Sequence, residues 1–309
     1  MSANEPAPIS GTTRFCAVYG HPVKHSASPA MQNAGIAALG LDWRYLATDV
    51  EPAKLREAIM GAAAMKFIGV NLTVPHKLLA MEFVDELDET AQTWGAVNTI
   101  RFEGRVGDTW RPLADLPIDY EGDVRTHGFN TDADAIIRSV REDLGLEPRG
   151  RRVVLLGAGG AGRVAALRLA TEGVGELFLI NRTSSKAEAV RAEIAARFPA
   201  VDCHVGYPAD RRADLLLNAT SLGLGPADGS PLDAAAFPVD GASHVYDMIY
   251  RPAETPLLKR AREAGVRTAN GLGMLLYQGV KALEIWGSRP APVETMRAAL
   301  QANVYGPTA

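Results

Sequence analysis

The chain is poor in cysteine, with two residues in 309, Cys16 and Cys203. They stand far apart and fit neither a metal-ligand spacing nor a disulfide framework, so no metal site is expected. Cys16, in the apolar run FCAVYG, reads as a small buried hydrophobe. No apolar run approaches the eighteen or so residues that span a bilayer. Positive charge is not in surplus: 32 Lys and Arg face 36 Asp and Glu, a formal net charge of −4. No basic stripe suits nucleic acid and no polybasic tail suits an anionic membrane. The opening MSANEPAPISGTTRF lacks a basic segment followed by an apolar one. We therefore expect no signal peptide and read it as a short mobile tail. Repeats and low-complexity blocks are missing too. What remains is a cytoplasmic globular protein, long enough for two domains, whose partners are small molecules.

What is present is an alternation of strand and helix patterns, which predicts α/β layers. Strands are expected at Phe15 to Tyr19, Trp43 to Val50, Lys66 to Val74 and Ala96 to Phe102. A Gly/Pro/Ser-rich turn covers Gly20 to Pro29. Helices are expected from Pro29 to Gly40, from Pro52, and from Pro75 to Trp94. Glu103 to His127, with Gly104, Gly107, Pro112, Pro117 and Gly122, reads as a long loop. From Arg151 a second unit begins. It has strands at Arg151 to Leu156, Glu176 to Ile180, Val201 to Val205, Asp214 to Asn218, His244 to Ile249 and Val266 to Ala269, which make a six-stranded parallel set. Helices follow Gly162 to Thr171, Lys186 to Arg197, Gly271 to Trp286 and Val293 to Gln301.

Gly157-Ala158-Gly159-Gly160-Ala161-Gly162 matches G-x-G-x-x-G between the buried strand RRVVLL and the helical RVAALRLA. The glycines permit a tight turn, close approach of a pyrophosphate and close helix–strand packing. The helix N-terminus then offers free N–H groups to phosphate. A dinucleotide is therefore expected. The next strand ends at Asn181-Arg182-Thr183-Ser184-Ser185-Lys186, with no carboxylate for a ribose 2′-hydroxyl. Asn181, Arg182, Thr183 and Lys186 suit a 2′-phosphate instead, so the cofactor is read as NADP. As an alternative, Arg182 and Lys186 are solvated cations at a helix start.

Reduction of a ketone leaves an alkoxide that needs a proton donor. Lys77, in Asn71-Leu-Thr73-Val-Pro75-His76-Lys77, falls in the first turn of a helix, where the positive helix end disfavours its ammonium and a nearby carboxylate would favour it. Taken alone, Lys77 reads as a surface lysine and His76 as structural. Asp132, in Gly128-Phe-Asn130-Thr131-Asp132, reads equally well as a helix N-cap, and Asp134 competes for any carboxylate role.

These segments together resemble the shikimate dehydrogenase family over nearly the whole chain. The residues that carry the likeness are Gly20-His-Pro22-Val-Lys-His25-Ser26-Ala-Ser28-Pro29, Asn71 to Lys77, Gly95-Ala-Val-Asn98-Thr99 and Asn130-Thr131-Asp132. They continue through the glycine loop, Asn181-Arg182-Thr183, Asn218-Ala-Thr220-Ser221, Asp247-Met248-Ile-Tyr250 and Gly271-Leu-Gly273-Met274-Leu-Leu-Tyr-Gln278. The resemblance implies NADPH-dependent reduction of 3-dehydroshikimate to shikimate, within aromatic amino acid biosynthesis, with Lys77 and Asp132 as the catalytic pair. It implies that Ser26, Ser28, Thr73, Asn98, Asp132, Tyr250 and Gln278 hold the substrate. Thr220, Met248 and Gly271 would join the glycine loop around the cofactor. It further implies a substrate domain made of residues 1–131 and 271–309 and a Rossmann-type NADP domain at residues 132–270. The two would flank a cleft that closes on its ligands, in a monomer or homodimer. A quinate or aminoshikimate dehydrogenase is the sibling reading, and a non-catalytic ligand sensor the more distant one. Three features depart from the family pattern: Ala133 and Ala135 stand where glycines are common, Gln32 stands where histidine is common, and the 103–127 segment is longer than usual.

Overall fold

The computed structural model describes residues 8–225 and 228–306, so residues 1–7 of the expected N-terminal tail lie outside the described residues. The chain forms two compact units. One takes the chain up to Asp132 together with the residues from Leu276 on, and the other runs from Ala133 to Leu275. Asp132, expected to open the second domain, thus falls in the first unit, and residues 271–275, expected in the first domain, fall in the second unit.

The first unit starts with strand β1 (Arg14–Gly20), helix α1 (Ser28–Ala38), strand β2 (Trp43–Asp49), helix α2 (Leu55–Ala64) and strand β3 (Gly69–Leu72). β1 pairs in parallel with both β2 and β3, the outcome of two successive strand–helix–strand crossovers. α1 begins at Ser28 with Pro29 in its first turn, where a missing N–H costs nothing. α2 buries Leu55, Ile59, Ala62 and Ala63, a single stripe at helical spacing.

Two expectations are corrected next. Residues 75–94 are not one helix. They form helix α3 (His76–Leu79), a 3-10 turn, strand β4 (Glu86–Leu87) and helix α4 (Glu89–Trp94). Asp85 accepts from Thr126 N and Oγ1 at 2.8 Å each. Asp88 caps α4 by accepting from Ala91 N at 2.9 Å. Short acidic side chains compete in this way with helix hydrogen bonds and break a helical pattern.

The second correction is that residues 103–127 are not a structureless loop. Strand β5 (Thr99–Val106) turns into β6 (Thr109–Pro112), and β7 (Val124–Phe129) returns antiparallel along β5. Tyr120 closes the connection, donating its hydroxyl toward Arg105 O and Asp123 O at 2.8 and 3.0 Å. The strand pattern is hidden because a charge sits on its inward face. Glu103 is 2% exposed and is held by Arg101, by Arg125 Nε at 2.8 Å and by His127 Nδ1 at 3.1 Å. The sheet runs β2-β1-β3-β5-β7-β4, with β6 beside β5.

The second unit holds helix α5 (Asp132–Leu144, whose first residue belongs to the first unit), strand β8 (Arg152–Leu156), helix α6 (Gly160–Glu172), strand β9 (Glu176–Ile180) and helix α7 (Ser184–Arg197). It continues with strands β10 (Asp202–Val205), β11 (Ala213–Asn218) and β12 (Ala242–Asp247), helix α8 (Pro256–Glu263) and strand β13 (Arg267–Asn270). All six strands are parallel, in the order β10-β9-β8-β11-β12-β13. This is the doubly wound dinucleotide-binding order, and its direction reverses between β8 and β11. Helix α9 (Leu272–Gly287) then leads back to the first unit, where helix α10 (Val293–Tyr305) packs on α1.

Candidate active site

Lys77 and Asp132 meet. Lys77 Nζ donates to Asp132 Oδ2 at 2.7 Å, with the side chains 32% and 17% exposed. α3, which carries Lys77, is one turn long, so little helix dipole acts on the ammonium, contrary to the expectation from sequence. The carboxylate is its polar contact. The backbone of this segment is also fixed, because Val97 N donates to Lys77 O at 2.9 Å.

Beneath the pair lies a buried polar cluster. Asn98, 1% exposed, accepts from Thr131 N at 2.8 Å and donates to Thr131 Oγ1 at 3.0 Å. It thus holds the residue preceding Asp132. Asn130 Nδ2 donates to Ala96 O at 3.0 Å, and its Oδ1 accepts from Asp132 N at 3.1 Å. Asn71 Nδ2 donates to Thr99 Oγ1 and Asn98 O at 3.0 and 3.2 Å. The polar run Asn71 to Thr73 and the Asn98-Thr99 pair are therefore two sides of one scaffold. His76 is fully buried, and burial holds its imidazole below its usual range. Asp134, the competing carboxylate, pairs instead with Arg168 at 3.0 Å.

Ser26, Ser28, Thr73 and Gln278 also lie in the first unit. Ser26 Oγ accepts from Ser28 N at 3.3 Å. Thr73 is half-buried, and its carbonyl accepts from His76 N at 2.9 Å, which starts α3. Gln278, on α9, neighbours Gly279, whose carbonyl accepts from Gln32 Nε2 at 2.9 Å. Gln32, where the family often has histidine, thus ties α1 to α9. Tyr250 is half-buried and belongs to the second unit.

The expected cofactor residues converge in the second unit. The glycine loop joins β8 to α6, with Gly159 at the helix N-cap. A Cβ on Gly162 would stand 2.0 Å from Gly157 O, so only glycine lets helix and loop pack here. Gly159 and Gly160 face open space, with nothing within 4 Å of an added Cβ. An open backbone at a helix N-terminus fits a pyrophosphate. Thr220 lies beside the loop: its methyl would be 2.9 Å from a Cβ on Gly157. Arg182, Thr183 and Lys186 are exposed and fit a further phosphate. Asn181 is committed to the scaffold: it accepts from Ala158 N at 3.0 Å and donates to Thr183 O at 2.8 Å. One of its N–H bonds remains for a ligand. A Cβ on Gly271 would stand 1.9 Å from Met248 O, so Gly271 is required where the chain passes Met248. These residues together fit a nicotinamide dinucleotide phosphate.

Two residues that sequence reasoning left out of the site shape these loops. Asn218 and Asp247 end the neighbouring strands β11 and β12 in register. Asn218 Oδ1 accepts from Thr220 N and Oγ1, and its Nδ2 donates to Asp247 Oδ1 at 2.9 Å. Asp247, fully buried, also accepts from Ile249 N at 3.1 Å and Thr255 Oγ1 at 2.6 Å. Burial raises its carboxyl above the usual range. The available signal was a lone polar residue closing each of two apolar strand patterns.

Three family descriptions match the chain. "Shikimate dehydrogenase substrate binding domain" covers residues 18–100, "Shikimate / quinate 5-dehydrogenase" residues 140–221 and "Shikimate 5'-dehydrogenase C-terminal domain" residues 271–301. A protein of Methanopyrus kandleri named shikimate dehydrogenase (NADP(+)) is 40% identical, over 94% of this chain and 96% of that protein. A crystal structure of a shikimate dehydrogenase in complex with NADP+ superposes with a TM-score of 0.82 at 34% identity, covering 97% of this chain and 98% of the other. The ligand-free 5-ketofructose reductase of Gluconobacter sp. strain CHM43 superposes with a TM-score of 0.79 at 32% identity, covering 94% and 99%.

Proposed function

The chain belongs to the shikimate dehydrogenase family, and on that premise we propose that it reduces 3-dehydroshikimate to shikimate with NADPH, reversibly. The observation that carries the reading is the 2.7 Å pair of Lys77 and Asp132 above a buried polar scaffold. The residues of the second unit would hold the dinucleotide: the glycine loop binds the pyrophosphate, and Arg182, Thr183 and Lys186 bind the 2′-phosphate. NADPH, when bound, supplies the hydride that converts the ketone carbon to an alcohol. Lys77 Nζ gives a proton to the carbonyl oxygen as it becomes an alkoxide. Asp132 keeps the ammonium aimed and accepts its remaining N–H, and solvent returns the proton to the part-exposed amine. In the reverse direction the neutral amine takes the hydroxyl proton. Ser26, Ser28, Thr73, Asn98, Tyr250 and Gln278 hold the carboxylate and hydroxyls of the ring acid, since hydroxyl and amide groups can donate or accept as each requires.

The first unit is accordingly read as the substrate domain and the second as the NADP domain. No helix among the described residues is long and apolar enough to cross a membrane. Cys16 and Cys203 are both free, which supports work in the cytoplasm.

NADPH oxidation at 340 nm with 3-dehydroshikimate tests the reading, run beside quinate with NAD and 5-ketofructose with NADPH. Fast turnover on 3-dehydroshikimate with NADPH alone supports it. A higher kcat/KM on either of the other pairs overturns the substrate assignment.

A further inference from the structure

Asn130 stands two residues before Asp132 and is 3% exposed. Both ends of its amide are engaged. Ala96 O can only accept and Asp132 N can only donate, so Nδ2 faces the first and Oδ1 the second. The distances are 3.0 and 3.1 Å. The backbone of Asn130 is held as well. Its N–H donates to Thr90 Oγ1 at 2.9 Å, and Thr90 turns its own hydrogen to Asp88 Oδ1 at 2.6 Å.

The Ala96 carbonyl and the Val97 N–H belong to one peptide group, which is a rigid plane. Asn130 holds that plane by its oxygen. The plane holds Lys77 by its hydrogen, since Val97 N donates to Lys77 O at 2.9 Å. Three hydrogen bonds thus lead from Asp132 N, through Asn130 and this peptide, to the backbone of Lys77. All of these residues belong to the first unit. The link matters because α3, which carries Lys77, is four residues long, and a single helical turn does not hold itself in place. The other arm of the polar cluster ends elsewhere. There the Tyr45 hydroxyl donates to Asn71 Oδ1 at 2.8 Å, and the bonds continue through Thr99 and Asn98 to Thr131.

We propose that Asn130 is a positioning residue for the proton-transfer pair, its amide setting Lys77 against Asp132 through the Ala96–Val97 peptide. The inference rests on the reading of Lys77 and Asp132 as the reacting pair. Oδ1 alone makes an ordinary turn at the start of α5, which Asn, Asp and Ser side chains all form. Nδ2 carries the geometry across to Lys77. Lys77 reaches Asp132 on a flexible four-carbon stem, so fixing its backbone limits the arc over which Nζ can swing. A proton donor displaced from a near-attack position loses rate steeply with distance.

The test is Asn130→Ser, with Ile59→Ala in the core face of α2 as a control for general destabilisation. The serine hydroxyl can still accept from Asp132 N but is too short to reach Ala96 O. In Asn130→Ser the single-turnover rate of NADPH oxidation with 3-dehydroshikimate should fall about tenfold. Its solvent deuterium isotope effect should rise, because proton transfer has become the slower step. Affinity for NADPH should stay within about twofold. Thr90→Val, which removes the acceptor of Asn130 N, should act in the same direction and less. Ile59→Ala should lower the melting temperature and leave the rate and the isotope effect in place. A rate or isotope effect unchanged in both Asn130→Ser and Thr90→Val, or a rate lowered as much in Ile59→Ala, overturns the proposal. A second readout does not depend on which ketone is reduced. In Asn130→Ser the Val97 amide should lose hydrogen-exchange protection while the Asp132 amide keeps it. Unchanged Val97 protection in Asn130→Ser overturns the proposal even where the parent enzyme shows another substrate.

Discussion

Glu103 in the first unit and Asp247 in the second are both carboxylates removed from water, and their surroundings are opposite. Glu103 is ringed by Arg101, Arg125 and His127. Burial pushes its carboxyl up, but the bonds from His127, Arg101 and Arg125 outweigh burial and pull it down to about 2. Among the described residues Asp247 receives only neutral donors, from Asn218, Ile249 and Thr255, and burial leaves its carboxyl raised. In the first unit charge is neutralised on the spot, and the ion cluster joins strands β5 and β7. In the second, one carboxylate holds two loops through three hydrogen bonds, and its charge is incidental to that task. A buried acid can therefore be a structural ion or a geometric clamp, and its partners tell which.

The units separate most clearly through the site itself. Lys77→Ala should lower kcat by about 10²–10⁴-fold, the usual contribution of a positioned proton donor. NADPH binding, assigned to the second unit, should hold its affinity when measured by fluorescence titration. An equal loss in both would mean that Lys77 supports the fold rather than the chemistry.

Glu103→Gln tests the ion cluster. It leaves two arginines and a histidine without their shared anion. Breaking a buried pair costs about 3–5 kcal/mol, and the partial exposure of the arginines puts this case at about 3 kcal/mol by urea denaturation at pH 7. The pH dependence has a definite sign. A carboxyl depressed in the folded state stabilises fully above its unfolded value near about 4.3, and that stability is lost as pH falls through the folded value of about 2. The gap between parent and Glu103→Gln should thus narrow steadily between those limits. A gap that stays constant down to pH 2 would mean the loss comes from shape and not from charge.

Arg182→Ala is the corresponding change in the second unit. It should raise KM for NADPH about tenfold through loss of a charge-assisted contact to phosphate, while KM for 3-dehydroshikimate stays put. KM for NADH, which lacks the 2′-phosphate, should stay put, so the ratio of the NADPH KM to the NADH KM should rise and the preference for NADPH shrink. No change in that ratio would return Arg182 to the role of a solvated helix-start cation.

The two units were also unequally legible in the sequence. The central strands β8, β9 and β11 of the second unit are nearly continuous apolar runs, buried along most of their length, and the glycine loop follows β8 directly. Its topology and glycine loop therefore follow from the pattern. In the first unit β5 and β7 carry Arg101, Glu103, Arg125 and His127, and charge facing inward erases the alternation by which a half-buried strand is recognised. The span from Pro75 to Trp94 misled for a related reason: Asp85 and Asp88 bond to backbone and break the helix, a competition that only tertiary partners such as Thr126 decide. Lys77 and Asp132 were found by resemblance, since each alone reads as an ordinary surface lysine and an ordinary cap. Tyr45 could not be found at all. Its hydroxyl bonds Asn71, which lies 26 positions away and meets it only across the folded sheet.

The smallest expected effect belongs to Asp247→Asn. A carboxyl whose folded value is raised binds its proton more readily than in the unfolded chain. Its ionised form therefore opposes folding: the cost is absent in acid, below the unfolded value. It grows as pH rises through the window up to the raised folded value, and persists above it. Asparagine removes that cost. Its one oxygen can still accept from Asn218 Nδ2 and Ile249 N, and its NH₂ can face Thr255 Oγ1, which already accepts from Leu258 N at 3.3 Å and can turn its own hydrogen aside. One hydrogen bond is reversed and one burial cost is lifted, so the two nearly cancel. Stability at pH 7 should change by no more than about 1 kcal/mol, and the decline of stability with rising pH across the acid window should flatten. A loss as large as that of Glu103→Gln would show that the second unit needs the charge as well as the geometry, and the contrast between the two buried acids would fall.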